Sequence, residues 1–377
     1  MSEVQAWLRL VRAPGLGPVR GAKLLAHFGD PAAIARAEAA ELAALGIPQA
    51  AIDAVHHPNA QELEQDLAWL AQPGRALVTV HDPAYPQRLY ATGRAPVALF
   101  VQGDVSLLNE PQLAIVGTRN PTPTGRRIAE DFARELTQAG MVITSGLALG
   151  IDAAAHQGAL NASGATIAVL GTGPDRIYPA RHRDLACRIV EQGALVSEFP
   201  PGTPVRAEHF PQRNRLISGL TLGTLVVEAA RQSGSLITAR LATEQGREVF
   251  AVPGSIRNPA AQGCHWLIRQ GAKLVENTTH ILEELTPQLR SLVNATDGGP
   301  LHEVGSAPQP LATTAPVALD AQQHALLTHL DHEPIAVDSL VERTGLTVDV
   351  VSSMLLILEL HGYIQAIPGG RYRRASV

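Results

Sequence analysis

Cysteine is nearly absent: Cys187 and Cys264 stand alone in 377 residues. Two isolated thiols make neither a disulfide framework nor a zinc site, so no metal is expected. No apolar run approaches the roughly 18 residues that cross a membrane. The opening segment carries Glu3 and Trp7 where a secretory leader needs unbroken apolar residues. The sequence therefore reads as cytosolic, with no membrane partner. Lysine occurs only at 23 and 273, so the basic residues are nearly all arginine; a bias of codon usage explains that as well as phosphate binding does. The net charge of −5 argues against a protein that coats nucleic acid through its overall charge. The charge is unevenly spread, however. From Arg206 to Lys273 nine basic residues face four glutamates.

Residues 1–72 read as short helices. Gly15-Leu16-Gly17 and Gly46-Ile47-Pro48 are tight turns before amphipathic segments, similar to a tandem helix-hairpin-helix or SAM-like domain that holds phosphate on helix-start amides. A plain helical packing module fits the same pattern. Two short strands, within "ALVTVHD" and "VALFVQG", lead into a regular alternation of Val/Ile-rich strands and helices. The helices are expected near 124–139, 151–160, 184–192 and 235–245, and a last short strand at 273–275. Buried strands separated by helical spacing specify a parallel sheet covered on both faces. The fold class is α/β, a Rossmann-like doubly wound sheet over 75–285. Residues 286–318, rich in Pro, Gly, Ala and Thr, read as a flexible linker. Residues 319–377 read as three helices (321–330, 337–343, 348–361) and a hairpin turning at Pro368-Gly369-Gly370, the plan of a winged helix. Its third helix has no basic residue before His361, which favours contact with protein, or weak contact with duplex DNA, over sequence reading.

Ligands of such sheets sit beyond the carboxyl ends of the strands. Four strand ends carry small or polar residues: Gly117-Thr118-Arg119, Ser145-Gly146-Leu147, Gly171-Thr172-Gly173 and Ser233-Gly234-Ser235. Together they read as an anion-binding ledge. Neither a Walker loop nor a dinucleotide Gly-x-Gly-x-x-Gly is present, so nucleoside triphosphate and NAD are not expected, and no cofactor is. "HFPQRNRLISGL" places Phe210, Arg213, Asn214 and Arg215 at a predicted helix start, a combination suited to single-stranded nucleic acid. The alternative is structural, with Arg215 paired to an acid such as Glu228 and Phe210 in packing. A hydrolase built from Ser145, Asp152, His156, Glu198 and His209 lacks a nucleophile elbow, and Asp152 and His156, four apart, read as an intrahelical contact.

The motifs "AIVGTRNPTPTG" (114–125), "TSGLALGIDAAAHQGAL" (144–160), "TIAVLGTGPDRIYP" (166–179), "SEFPPGTP" (197–204), "FPQRNRLISGL" (210–220), "VVEAARQSGSLITARLATEQGREVFAVPG" (226–254) and "GCHWLIRQGAKLV" (263–275) resemble, in series and order, the DprA family. These are the DNA-processing proteins of natural transformation, also called Smf. The resemblance implies a dimeric, non-enzymatic protein that binds and protects incoming single-stranded DNA and helps load the RecA recombinase. Carried over by position, the pocket would include Thr118, Arg119, Ser145, Gly146, Phe210, Arg213, Asn214, Arg215, Gly234, Ser235 and Thr238, beside Gly117 and Gly173 of the glycine-rich strand ends. Self-association would use Trp266, Leu267, Ile268 and Leu274. Pro121 and Pro123 make the turn after Arg119 stiff, which leaves the reach of that side chain open. The rival reading is a nucleotide enzyme of the phosphoribohydrolase type or a nucleotide-cofactor carrier. The phosphoribohydrolase motif ends in a catalytic glutamate that Arg231-Gln232-Ser233-Gly234-Ser235 lacks.

Overall fold

The computed structural model describes residues 2–297 and, beyond them, 326, 327, 329, 330, 335–344, 351, 355, 358, 364–367 and 371–374. The chain divides into two units, Met1–Gly299 and Pro300–Val377. The first begins with six helices: α1 (Glu3–Arg12), α2 (Pro18–Phe28), α3 (Pro31–Arg36), α4 (Ala39–Ala44), α5 (Gln49–His56) and α6 (Ala60–Leu70). Trp7, Leu10, Leu24, Ile34, Leu42 and Ile52 close their core, and Val97 of the following segment joins it.

A nine-stranded sheet follows. Its elements in chain order are β1 (Arg75–Thr79), α7 (Gln87–Tyr90), β2 (Ala98–Gly103), β3 (Gln112–Val116), α8 (Pro123–Gln138), β4 (Val142–Ser145), α9 (Ile151–Asn161), β5 (Thr166–Val169) and α10 (Arg183–Gln192). Then come β6 (Ala194–Ser197), α11 (His209–Leu220), β7 (Gly223–Val226), α12 (Ser235–Glu244), β8 (Glu248–Ala251), α13 (Gln262–Arg269), β9 (Lys273–Leu274) and α14 (Thr278–Asp297). The order across the sheet is β1-β2-β6-β5-β4-β3-β7-β8-β9. β3 to β9 run parallel, while β1 and β2 add as an antiparallel edge.

Strand β3 shows why both faces must be covered. Its alternate residues Leu113 and Ile115 enter one core, and Ala114 and Val116 enter the other. On the face of Leu113 and Ile115, α8 begins at Thr122, whose side chain accepts the Gly125 N–H, with Pro123 in the first turn. Ala129, Phe132, Ala133 and Leu136 follow at helical spacing and are buried.

The expected linker begins too early. α14 continues to Asp297, with Pro287 inside it. Ile281 and Leu285 are fully buried, and Leu282, Leu289 and Leu292 pack against the same core. The apolar spacing outweighs the Pro/Gly/Thr composition that marked residues 286–297 as linker.

In the second unit, β10 (Ile335–Ala336), α15 (Val337–Thr344), β11 (Ile364–Ile367) and β12 (Arg371–Arg374) are described, and β12 lies between the other two strands. Leu326, Leu330, Leu340, Val351, Leu355 and Leu358 form its core. The predicted turn at 368–370 and most of the predicted third helix lie outside the described residues. Among the described residues no helix is long and apolar enough to cross a membrane.

Candidate functional site

The chain builds β3, then β4, β5 and β6 successively to one side, and returns through α11 to place β7 on the other side of β3. The loops after β3 and β7 therefore diverge, and a crevice opens at that switch point. It holds about 680 Å³ and is lined by Gly117, Thr118 and Arg119 after β3, and by Ala230 and Gln232 to Ser235 after β7. Ile237 and Thr238 of α12, Phe210, Arg213 and Asn214 of α11, and Tyr178 and Val205 complete the wall.

The four strand ends are not equivalent. At the start of α8 the Glu228 carboxylate accepts the Thr122 N–H at 2.9 Å and the Thr122 hydroxyl at 2.6 Å. A β-carbon on Gly125 would sit 2.3 Å from that carboxylate, so the approach needs glycine. Before α9, Asp152 accepts the Gly146 and Ala148 N–H groups at 3.1 and 3.3 Å. Two of the expected anion sites thus hold the protein's own carboxylates. The end of β5 is closed: Phe210 lies against Gly171, Thr172 Oγ1 donates to the Arg176 carbonyl at 2.6 Å, and the Gly173 N–H donates to the Thr203 carbonyl at 3.2 Å. No carboxylate among the described residues closes the loop before α12, and a β-carbon on Gly234 would meet nothing within 4 Å. There the Gly234 N–H has no protein partner, and Ser233 and Ser235 share a hydroxyl contact of 2.7 Å. A helix start with free donors attracts anions.

The arginines separate in the same way. Arg119 is exposed, lines the crevice and makes no hydrogen bond or ion pair among the described residues. Its turn is fixed from below, since the Thr118 N–H donates to the Glu228 carbonyl at 2.7 Å and the Thr118 carbonyl accepts the Ile151 N–H at 3.2 Å. Gly150 crosses beneath at φ +83°, and a β-carbon there would lie 2.3 Å from the Thr118 carbonyl. Arg213 is only 4 % exposed. Its guanidinium donates to the Gly146 carbonyl at 2.7 Å and to the Val169 carbonyl, tying the ends of β4 and β5. Burial pushes it down to about 10, with Asp152 favouring the charge and Arg119 opposing it. Arg213 is the crevice floor and not a free cation.

Several expected site residues are placed elsewhere. Arg215 is outside the crevice, donating to the Arg94 carbonyl at 2.7 Å and paired with Glu198, not Glu228. The helix begins at His209, so Arg213 and Arg215 occupy its second turn, about 200° apart around the axis. Ser145 is fully buried and its hydroxyl donates to the Ile115 carbonyl at 2.6 Å. The amides of Gly146 and Gly173 are already engaged. His156 does not pair with Asp152; its Nδ1 meets Thr166 Oγ1 at 2.7 Å. His209 stacks on Phe199 at 4.1 Å. His156, Glu198 and His209 are therefore each committed to partners outside any common constellation with Ser145.

Sequence reasoning passed over Tyr178. It is 45 % exposed and lies beside Phe210 with ring centroids 5.4 Å apart. Its signal was the Tyr-Pro closing the loop after β5. On α13, Leu267 is 6 % exposed and belongs to the core, so it offers no surface for a partner. Trp266 and Ile268 are half-buried, and Leu274 on the edge strand β9 is 42 % exposed.

Residues 76–286 match the family described as DNA recombination-mediator protein A, and residues 309–370 match the DprA winged helix domain. The chain belongs to the DNA recombination-mediator protein A family. It is 48% identical over 318 residues to protein Smf of Escherichia coli K12, covering 84% of this chain and 82% of the relative. It is 45% identical over 206 residues to DNA processing protein DprA of Streptococcus pneumoniae, covering 55% and 73%. The solved structure of the pneumococcal DNA processing protein A aligns at TM-score 0.66 and 34% identity over 74% of this chain and 97% of that one. The Helicobacter pylori DNA processing protein A, solved for its single-stranded DNA binding mode, aligns at TM-score 0.51 and 30% identity over 56% and 96%.

Proposed function

We propose that this family member binds single-stranded DNA in the crevice between β3 and β7, protects it in the cytoplasm and passes it to the RecA recombinase. The observation that carries the reading is the convergence of an unpaired cation, Arg119, the open start of α12, and the rings of Tyr178 and Phe210 on one crevice. Phosphates meet the cation and the free donors, while unstacked bases meet the rings. Asp152 is the one carboxylate lining the crevice among the described residues; two amides already donate to it and the nearby charge of Arg213 offsets it. Arg206 and Arg231 are exposed beside lining residues and add positive charge at the rim. Thr238 and Asn214 shape the wall; Gly117 gives the backbone room. Arg213, Ser145, Gly146 and Gly173 act by holding the strand ends, and Arg215 by anchoring α11. In this reading the crevice binds its strand and performs no chemistry on it.

The dimer uses Trp266 and Ile268 of α13 and Leu274 of β9, the strand at the sheet's edge. The winged helix contacts protein or duplex DNA. Fluorescence anisotropy with a labelled thymine oligonucleotide and a duplex of equal length, at two salt concentrations, tests the main reading. Tighter, salt-sensitive binding to the single strand is expected, followed by faster recombinase filament formation on that strand. Equal binding to both, or release of free base from nucleoside monophosphates, would overturn it.

A further inference from the structure

Beside the crevice, across the turn that follows Arg119, lies a separate groove of about 320 Å³ lined by Pro121, Pro123, Arg126, Arg127 and Glu130. Both arginines are exposed and neither side chain makes a hydrogen bond or ion pair among the described residues. Further along the same helix Arg134 pairs with Asp131 at 2.7 Å, and on α12 Arg240 pairs with Glu244 at 3.4 Å. Arg126 and Arg127 leave Glu130 unpaired although it stands four and three residues away, a spacing at which such pairs form on helices. They also stand at the positive end of the α8 dipole, where a cation opposes the helix. Two neighbouring guanidinium groups without partners on one groove make it a surface open to an anion.

The partner follows from continuity with the crevice. Arg119 lines the crevice and Pro121 lines the groove, two residues and at most about 7 Å apart along the backbone. The turn between them is rigid: Pro121 and Pro123 restrict it, and Glu228 pins Thr122 from below. The prolines have no N–H, so an anion in the groove is held by the two guanidinium groups. Among the described residues no aromatic side chain lines the groove to stack on a base.

Resting on the reading of the crevice as a single-strand site, we propose that the DNA strand leaves the crevice across the start of α8, its phosphates seated on Arg126 and Arg127. The crevice takes bases and phosphates; the groove takes backbone alone, without sequence preference.

The test compares the full chain with its Arg126→Ala/Arg127→Ala variant on labelled thymine oligonucleotides of increasing length. On the shortest strand that the wild type binds, the two proteins should match. On longer strands the variant should lose the affinity gained with length, and its plot of log affinity against log salt should be shallower by about 1.4, the loss of two phosphate contacts. The melting temperature should hold or rise, because two cations leave the helix start. Wild-type affinity and salt slope at every length would overturn the proposal, as would a uniform loss at all lengths. Arg119→Ala is the control for the crevice. It should weaken strands of every length, and a wild type that binds none of them would instead overturn the crevice reading itself.

Discussion

Arg213 and Arg119 lie at the same crevice, and their surroundings give them opposite work. Replacing Arg213 with Ala frees two buried strand-end carbonyls and removes the positive charge that favours ionised Asp152, which should destabilise the protein by about 2 kcal/mol or more. Arg119→Ala removes no internal contact and should change stability by less than about 0.5 kcal/mol while weakening single-strand binding. Urea unfolding of both variants, beside their anisotropy curves, separates the two roles. His156 gives a second residue-scale expectation. Thr166 Oγ1 donates to the Ile143 carbonyl and so accepts from His156 Nδ1–H, leaving Nε2 unprotonated and buried without a partner. Burial, with His182 and Arg213 adding repulsion, pushes this ring down to about 3 from 6.5. The fold favours the neutral ring, so its contribution is complete above pH 6.5 and falls as pH drops from 6.5 toward 3, by about 1.4 kcal/mol per unit. His156→Gln should flatten that part of the stability profile, and an unchanged acid limb would show that other groups set it. The residue types at the site were legible in the sequence; which arginine is free was not. That depends on helix phase and on carbonyls 44 and 67 residues away from Arg213 in the chain.

Helix starts explain why four similar glycine-rich loops behave differently. Glu228 closes the start of α8 and Asp152 closes the loop before α9, whereas no carboxylate among the described residues closes the loop before α12. Sequence alone cannot rank them, because Glu228 arrives from the end of β7, 106 residues beyond Thr122. The turn that carries Arg119 depends in turn on Gly150. A side chain at Gly150 would be strained at φ +83° and would press on the Thr118 and Arg119 backbone. Gly150→Ala should therefore lower both the melting temperature and single-strand affinity, whereas Arg119→Ala lowers affinity alone. On the far wall, Arg12 of α1 reaches the loop after β6, donating to the Pro201 carbonyl at 3.0 Å and to Asp66 of α6 at 2.6 and 2.7 Å. Asp66 is fully buried, so Arg12→Ala should cost on the order of 3 kcal/mol, measured by urea unfolding, and loosen the loop that carries Val205.

The doubly wound sheet was readable in the sequence because its strands are short, apolar on both faces and spaced by helices, a pattern few other arrangements bury. The end of the first unit was not, since α14 carries its core leucines through a composition typical of linkers. This sets where the chain can be cut. Truncation after residue 299 should leave the melting temperature of the first unit and its single-strand binding unchanged. Truncation after 285 removes the helix around Leu289 and Leu292 and uncovers Ile281 and Leu285, each worth about 2 kcal/mol when buried, and should destabilise the protein markedly. Differential scanning calorimetry of the two fragments distinguishes these outcomes. The most direct test of the crevice as the single-strand site is ultraviolet cross-linking of a 5-iodouracil oligonucleotide to the full chain, with the adducts mapped by peptide. Adducts on the peptides of Tyr178 and Phe210, displaced by unlabelled single strand, are the predicted result. Adducts confined to residues 1–72 or 300–377 would contradict the account.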